Sequence, residues 1–193
     1  MKNILVGVTG GIAAYKSIEI VNQLKKDGYT VKVIMTHSAT KFVTPLTFQT
    51  MSGNEVVSEM FDPVYRWDTK HIELAKFADL FVIAPATADI IGKIANGIAD
   101  DMLSTTAMAV RCPTLIFPAM NTAMYENPIL QQNLRKLEEF NYRIYATDTG
   151  ELACGDIGKG KLLPWDEIVK TIESFQLSNP EIGLQKSKQD SGL

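Results

Sequence analysis

The chain has 193 residues, 46% of them apolar and 21% charged, most simply one domain with enough apolar surface for a full core. A formal charge of -3, with no basic run interleaved with aromatics, excludes nucleic acid or an anionic membrane surface as the main partner. Two cysteines, Cys112 and Cys154, fit a reducing compartment and provide no disulfide framework.

Asn3–Val8 is a continuous apolar run, the pattern of a strand buried on both faces. It is too short for a signal peptide's apolar region plus cleavage site, and no stretch reaches the roughly 18 apolar residues of a membrane span. The cytoplasm is the expected location. Thr9-Gly10-Gly11 marks a turn, and Ile12–Lys26 reads as a helix with apolar positions at Ile12, Tyr15, Ile18, Val21 and Leu24, closed by Gly28. Thr30–Met35 is a second strand, which makes the first 35 residues a right-handed βαβ unit. Leu80–Ala84 predicts a third strand, followed by helices near Asp89–Asn96 and Asp101–Ala109. Thr114–Phe117 predicts a fourth strand, Asn127–Phe140 a helix with Pro128 in its first turn, and Arg143–Ala146 a short fifth strand. Thr147–Pro164 is glycine-rich and reads as irregular, Trp165–Phe175 as a last helix, and Ser178–Leu193 as a disordered polar tail. The alternation implies an α/β fold: a doubly wound, Rossmann-like (flavodoxin-like) parallel sheet with helices on both faces, in a single domain.

Three predicted strand ends share small, polar chemistry. Gly10-Gly11 at the first βα turn does not fit GxGxxG, yet a glycine pair before a helix lets a phosphate or flavin approach the backbone. A sterically required tight turn explains it equally well. Thr36-His37-Ser38-Ala39-Thr40 suits a phosphate monoester or an ordinary N-cap, and Ala84–Asp89 a flat ring or a helix start at Thr87. Together they point to one shared ligand. Pro118-Ala119-Met120-Asn121-Thr122-Ala123-Met124-Tyr125 follows the fourth strand directly. Its carboxamide, Asn121, lies where α/β sheets bind ligands and can orient a carboxylate or carbonyl. His71, entering an apolar-periodic helix, is a base or a surface and capping residue. His37 has hydroxyl neighbours that already account for its turn. Cys154, in Leu152-Ala153-Cys154-Gly155-Asp156, is a small hydrophobe or, on a glycine-hinged loop, a proton carrier over a covered site. Cys112 reads as core. The two histidines and two cysteines lack metal-ligand spacing, so no metal is expected, and neither GxSxG nor a P-loop occurs.

His71-Ile72-Glu73-Leu74, Pro118–Tyr125 and the Leu152–Gly160 segment, supported by Asn96–Asp101, resemble in this order the homo-oligomeric flavin-containing cysteine decarboxylases. The resemblance covers about residues 3–175. That family often has Met-Trp where this chain has Met124-Tyr125, which keeps an aromatic ring. The resemblance is greatest to the coenzyme A branch. It implies FMN as cofactor and 4'-phosphopantothenoylcysteine as substrate, converted to 4'-phosphopantetheine through a thioaldehyde and an enethiol. It implies His71 as base, Asn121 as holder of the substrate carboxylate, and Cys154 as proton donor to the enethiol. Gly10, Gly11, Ile12, Ser38, Thr87, Ala88, Asp89, Ala119 and Met120 are the implied cofactor contacts, and Asn121, Met124, Ala153 and Cys154 the substrate contacts. A flap over about Glu151–Lys161 would close the site. The resemblance further implies a homo-oligomer, a trimer or a dodecamer of trimers, with residues 1–176 as decarboxylase domain and 177–193 as tail. Relatives often carry a following synthetase domain; this chain stops after the last helix, so the decarboxylase half alone is expected. A peptidyl-cysteine oxidative decarboxylase, a flavin prenyltransferase and a non-catalytic flavin-binding regulatory subunit are rivals. The first needs no reduction of the enethiol, the second lacks the Pro-Ala-Met-Asn segment, and the third has no use for His71, Asn121 and Cys154 together.

Overall fold

The computed structural model describes residues 3–60 and 69–179. Six parallel strands form one sheet: β1 (Asn3–Val8), β2 (Thr30–Met35), β3 (Val56–Val57), β4 (Leu80–Ala86), β5 (Thr114–Pro118) and β6 (Arg143–Ile144). Their order is β3-β2-β1-β4-β5-β6, so the chain moves outward from β1 in one direction and then returns to its other side. Side chains alternate between two separate cores. Ile4, Val6 and Val8 of β1 meet α1 (Ser17–Lys26), α2 (Pro45–Ser52) and α8 (Trp165–Ser178) through Ile20, Leu24, Phe48, Ile168 and Ile172. Leu5, Phe81 and Ile83 meet α3 (Lys70–Phe77), α4 (Ala88–Ala95), α5 (Met102–Ala109) and α7 (Pro128–Glu139) through Leu74, Ile90, Leu103 and Leu134. Two apolar faces per strand explain why the strands read as unbroken apolar runs. The reversal at β1/β4 opens a crevice above the strands' carboxyl ends.

Thr9, buried at that reversal, pins the two strand ends together. Its hydroxyl donates to the Pro85 carbonyl at 2.7 Å and accepts from Thr87 N–H at 3.0 Å. One turn further on, the Ser17 hydroxyl donates to the Ala84 carbonyl at 2.6 Å. The crevice floor is thereby held by side-chain hydrogen bonds where the β1–β4 ladder has ended.

The structure departs from expectation in four places. Ile12–Lys26 is not one α-helix: Ile12–Lys16 is a 3-10 turn, with α1 beginning at Ser17. In a 3-10 turn residues i and i+3 eclipse each other, and Ile12 and Tyr15 therefore share a face that is 58% and 55% exposed. The glycine-rich stretch is not irregular. It forms an antiparallel hairpin of β7 (Asp148–Glu151) and β8 (Ile157–Lys161). Helix α2 and strand β3 were not anticipated, although α2 begins with Pro45 at its first turn and ends at Gly53 with φ of 73°. Finally, β6 ends at Ile144 and α8 continues to Ser178; the remainder of the expected tail, 180–193, lies outside the described residues. Among the described residues no helix is long and apolar enough to cross a membrane.

Thr9→Val keeps the shape but leaves the Pro85 carbonyl and Thr87 amide without their partner. The expected loss of stability is about 2 kcal/mol, measured as the shift in urea-unfolding midpoint against the parent chain.

Candidate active site

Of the expected cofactor residues, Gly10, Gly11, Ser38, Thr87 and Ala119 lie at neighbouring strand ends. Gly10 packs against Ser38 so closely that a Cβ would overlap that side chain, and a Cβ on Gly11 would lie 3.6 Å from the Thr87 methyl. The end of β1 therefore lies against those of β2 and β4. Ala119 N–H donates to the Ala86 carbonyl at 3.0 Å, which brings β5 alongside. Thr87 is the N-cap of α4, but with no side-chain cap bond. Asp89, in the first turn of α4, lies 3.4 Å from Lys93 Nζ.

Beyond β5 the chain makes a single helical turn, α6 (Thr122–Tyr125), with Asn121 as its N-cap. The Asn121 Oδ1 accepts the Ala123 N–H at 2.8 Å, satisfying one of the donors a helix start leaves open. That bond fixes which end of the amide faces out. Nδ2 points at the hairpin tip, 3.3 Å from Cys154 Sγ and 3.3 Å from Asp156 Oδ2. Cys154 Sγ in turn donates to Asp156 Oδ2 at 3.2 Å. A carboxamide, a thiol and a carboxylate thus close a ring between two segments more than 30 positions apart. Met124 and Ala153 are exposed.

The hairpin reaches this position through backbone contacts. Met120 N–H donates to the Gly160 carbonyl at 2.8 Å, and the Thr122 hydroxyl to the Lys159 carbonyl at 2.7 Å. A Cβ on Gly158 would overlap Thr122, and one on Gly160 would overlap the Met120 carbonyl. Gly160 also has φ of 113°, open only to glycine at low cost. At the tip, Leu152 N–H donates to the Asp156 carbonyl at 2.8 Å, with Gly155 at φ of 86° making the turn.

His71 sits in the first turn of α3 and is partly buried. It is not among the hydrogen-bond partners of the Asn121–Cys154–Asp156 ring. His37 faces Glu59, with 3.2 Å between Nδ1 and Oε1. Cys112 is partly buried against the second core, in agreement with a packing role. Sequence reasoning passed over Thr9, Thr122 and Asp156. Asp156 stood in a quoted motif, but nothing local tells that its carboxylate meets Asn121.

The Asn96–Asp101 segment is an electrostatic knot. Lys93 Nζ lies 2.9 Å from Asp100 and 3.1 Å from Asp101, and Asp101 caps α5 in a reciprocal box with Ser104. Burial pulls the Lys93 pKa down, but hydrogen bonds to Asp100 and Asp101 and the charges of Asp101 and Asp89 carry it above the ordinary 10.5. The Lys93 hydrogen bond, opposed by a smaller burial effect, holds the Asp100 carboxyl below the ordinary 3.8.

A family model described as Flavoprotein matches residues 1–177. The chain belongs to the flavoprotein family. The "Coenzyme A biosynthesis bifunctional protein CoaBC" of Borreliella burgdorferi is 48% identical over 171 residues, covering 89% of this chain and 44% of that protein. The chain therefore spans less than half the length of this relative. Among solved structures, a cysteine-to-serine mutant of PPC decarboxylase complexed with pantothenoylaminoethenethiol superposes with a TM-score of 0.79. It is 28% identical, with 90% of this chain and 97% of that one covered. The FMN binding protein AtHal3 superposes at 0.78 with 29% identity, over 92% and 98% of the two chains.

Two outcomes are expected. Gly160→Ala drives a Cβ into the Met120 carbonyl and undocks the hairpin, seen as loss of hydrogen-exchange protection at the Met120 amide while the sheet core stays protected. Asp100, with its lowered pKa, contributes stability fully above about pH 4 and loses it as pH falls through the lowered value. Lys93, with its raised pKa, contributes fully below about 10.5 and loses it as pH rises further. Lys93→Met should flatten both limbs, so that urea midpoints between pH 5 and 3 fall less steeply than in the parent chain.

Proposed function

We propose that this chain catalyses the FMN-dependent decarboxylation of 4'-phosphopantothenoylcysteine to 4'-phosphopantetheine, a step of coenzyme A biosynthesis in the cytoplasm. The observation that carries this reading is the Asn121 amide held 3.3 Å from the Cys154 sulfur beside the β1/β4 crevice. The likeness to a coenzyme A biosynthesis protein and to a PPC decarboxylase supports it. Residues 1–176 form the decarboxylase domain in this reading.

The crevice fits a flavin. It is walled by backbone and small side chains where Gly10 meets Ser38 and Gly11 approaches Thr87, which suits close approach of a flat ring and its chain. Gly10, Gly11, Ile12, Ser38, Thr87, Ala88, Asp89, Ala119 and Met120 would hold it. FMN, when bound, supplies reversible two-electron oxidation of the thiol-bearing carbon. Asn121 Nδ2 orients the substrate carboxylate, since its Oδ1 is committed to the helix cap. Met124 and Ala153 line the substrate on either side. His71 takes a proton during the oxidation and decarboxylation half. Loss of carbon dioxide then sends electrons into the adjacent thiocarbonyl as an enethiolate. Cys154 delivers the proton that the enethiol carbon needs to become saturated again. The docked hairpin keeps water from that carbon.

His71 lies outside the Asn121 ring, and Ile12, Tyr15, Phe42 and Leu46 expose apolar surface. Both features support assembly as a homo-oligomer, a trimer or a dodecamer of trimers, with the flavin at a subunit contact.

The test is turnover by purified, FMN-loaded protein, followed as carbon dioxide and phosphopantetheine. Release of an oxidised thiol with no phosphopantetheine would instead mark a peptidyl-cysteine type of oxidative decarboxylase. His71→Asn should abolish carbon dioxide release with flavin still bound. Cys154→Ser should release carbon dioxide but accumulate the enethiol and reduced flavin; full turnover by that variant would leave the cysteine a structural residue.

A further inference from the structure

The ring at the hairpin tip contains one group that the reaction above does not use. Asp156 Oδ2 accepts two hydrogen bonds, from Asn121 Nδ2 and from Cys154 Sγ. The carboxylate is solvent-exposed, and among the described residues no lysine, arginine or histidine pairs with it. The tip turn, closed by Leu152 N–H to the Asp156 carbonyl, holds the two side chains on the same side of Gly155. Asn121 has one outward donor group, because the helix cap consumes its oxygen. The chain's own carboxylate therefore occupies the place that the proposed function gives to the substrate's carboxylate. Two anions do not share one amide without mutual repulsion.

We propose that Asp156 is a positioning residue whose carboxylate stands in for the substrate carboxylate on Asn121 and holds the Cys154 S–H until substrate displaces it. The inference rests on the functional reading above. Arrival of the substrate carboxylate moves Asp156 off Nδ2 and frees the S–H to turn toward the substrate carbon. Departure of carbon dioxide leaves the enethiol in place with the S–H still free, and Asp156 returns to the amide and the thiol only when product leaves. The exchange forms and breaks hydrogen bonds only. It ties the direction of the Cys154 proton to whether the site is occupied.

Two variants of the FMN-loaded protein separate charge from hydrogen bonding. Asp156→Ala removes both competitor and acceptor: KM for phosphopantothenoylcysteine should fall about 3- to 10-fold, the size of one exchanged hydrogen bond. The product partition should match the parent's, because Asp156 is off the S–H in both proteins while the enethiol is present. Asp156→Asn keeps an acceptor oxygen but not the charge. It should lower KM similarly while keeping the parent's product partition. Independently of turnover, iodoacetamide should alkylate Cys154 several-fold faster in substrate-free Asp156→Ala than in the parent. An unchanged or raised KM in both variants, a shifted partition in Asp156→Ala, or an unchanged alkylation rate overturns the exchange while leaving the functional reading intact. A parent holoenzyme that makes no phosphopantetheine overturns that reading and the exchange with it.

Discussion

Everything at this site depends on a division of labour within one carboxamide. The oxygen of Asn121 is spent on the backbone of α6, and its nitrogen is left for chemistry. A buried or semi-buried amide is ordinarily ambiguous, because its two ends are similar in size and either can face a ligand. Here the helix cap removes the ambiguity. The same bond that starts a helical turn also sets the polarity of the surface facing the hairpin, so local folding and ligand preference cannot be altered separately. Strand β5 delivers the residue, the β1–β4 reversal delivers the neighbouring crevice, and the hairpin delivers thiol and carboxylate to it.

The parts of the fold that were legible in the sequence are those whose stabilisation is visible locally. β1, β2, β4 and β5 are buried on both faces, and a doubly buried strand can only be apolar throughout. Helices α4, α5 and α7 carry their own start signals, as in Asn127 capping Pro128–Glu139. The hairpin was not legible, because its strands contain Asp148, Gly150, Glu151, Gly158, Lys159 and Gly160, the reverse of strand composition. What orders it is distant: Met120, Thr122 and Thr147 bond its backbone, and two glycines admit the close approach. Periodicity likewise put Ile12 and Tyr15 on the apolar face of one α-helix, whereas they stand in a 3-10 turn and are exposed.

The site divides in the same way. Gly10, Ser38, Thr87, Asn121 and Cys154 could be singled out because each sits in a motif or at a strand end, and the structure brings them to one edge. Thr9 and Asp156 carry comparable structural weight yet leave no local signature. Their partners lie 76 and 35 positions away. Lys93 is intermediate: its acidic partners are near in sequence, but only the fold of the Asn96–Asp101 turn gathers three of them around one ammonium.

The hairpin's glycine-and-carbonyl seating has a consequence for how such a site diversifies. Its legs are recognised as main chain, by Met120 and Thr122, while its tip side chains, Cys154 and Asp156, meet the Asn121 amide. The frame is thus held by main chain and the chemistry by side chains. Tip residues can be exchanged without re-solving how the frame docks, so one scaffold can bring a different proton carrier, or none, to the same strand end.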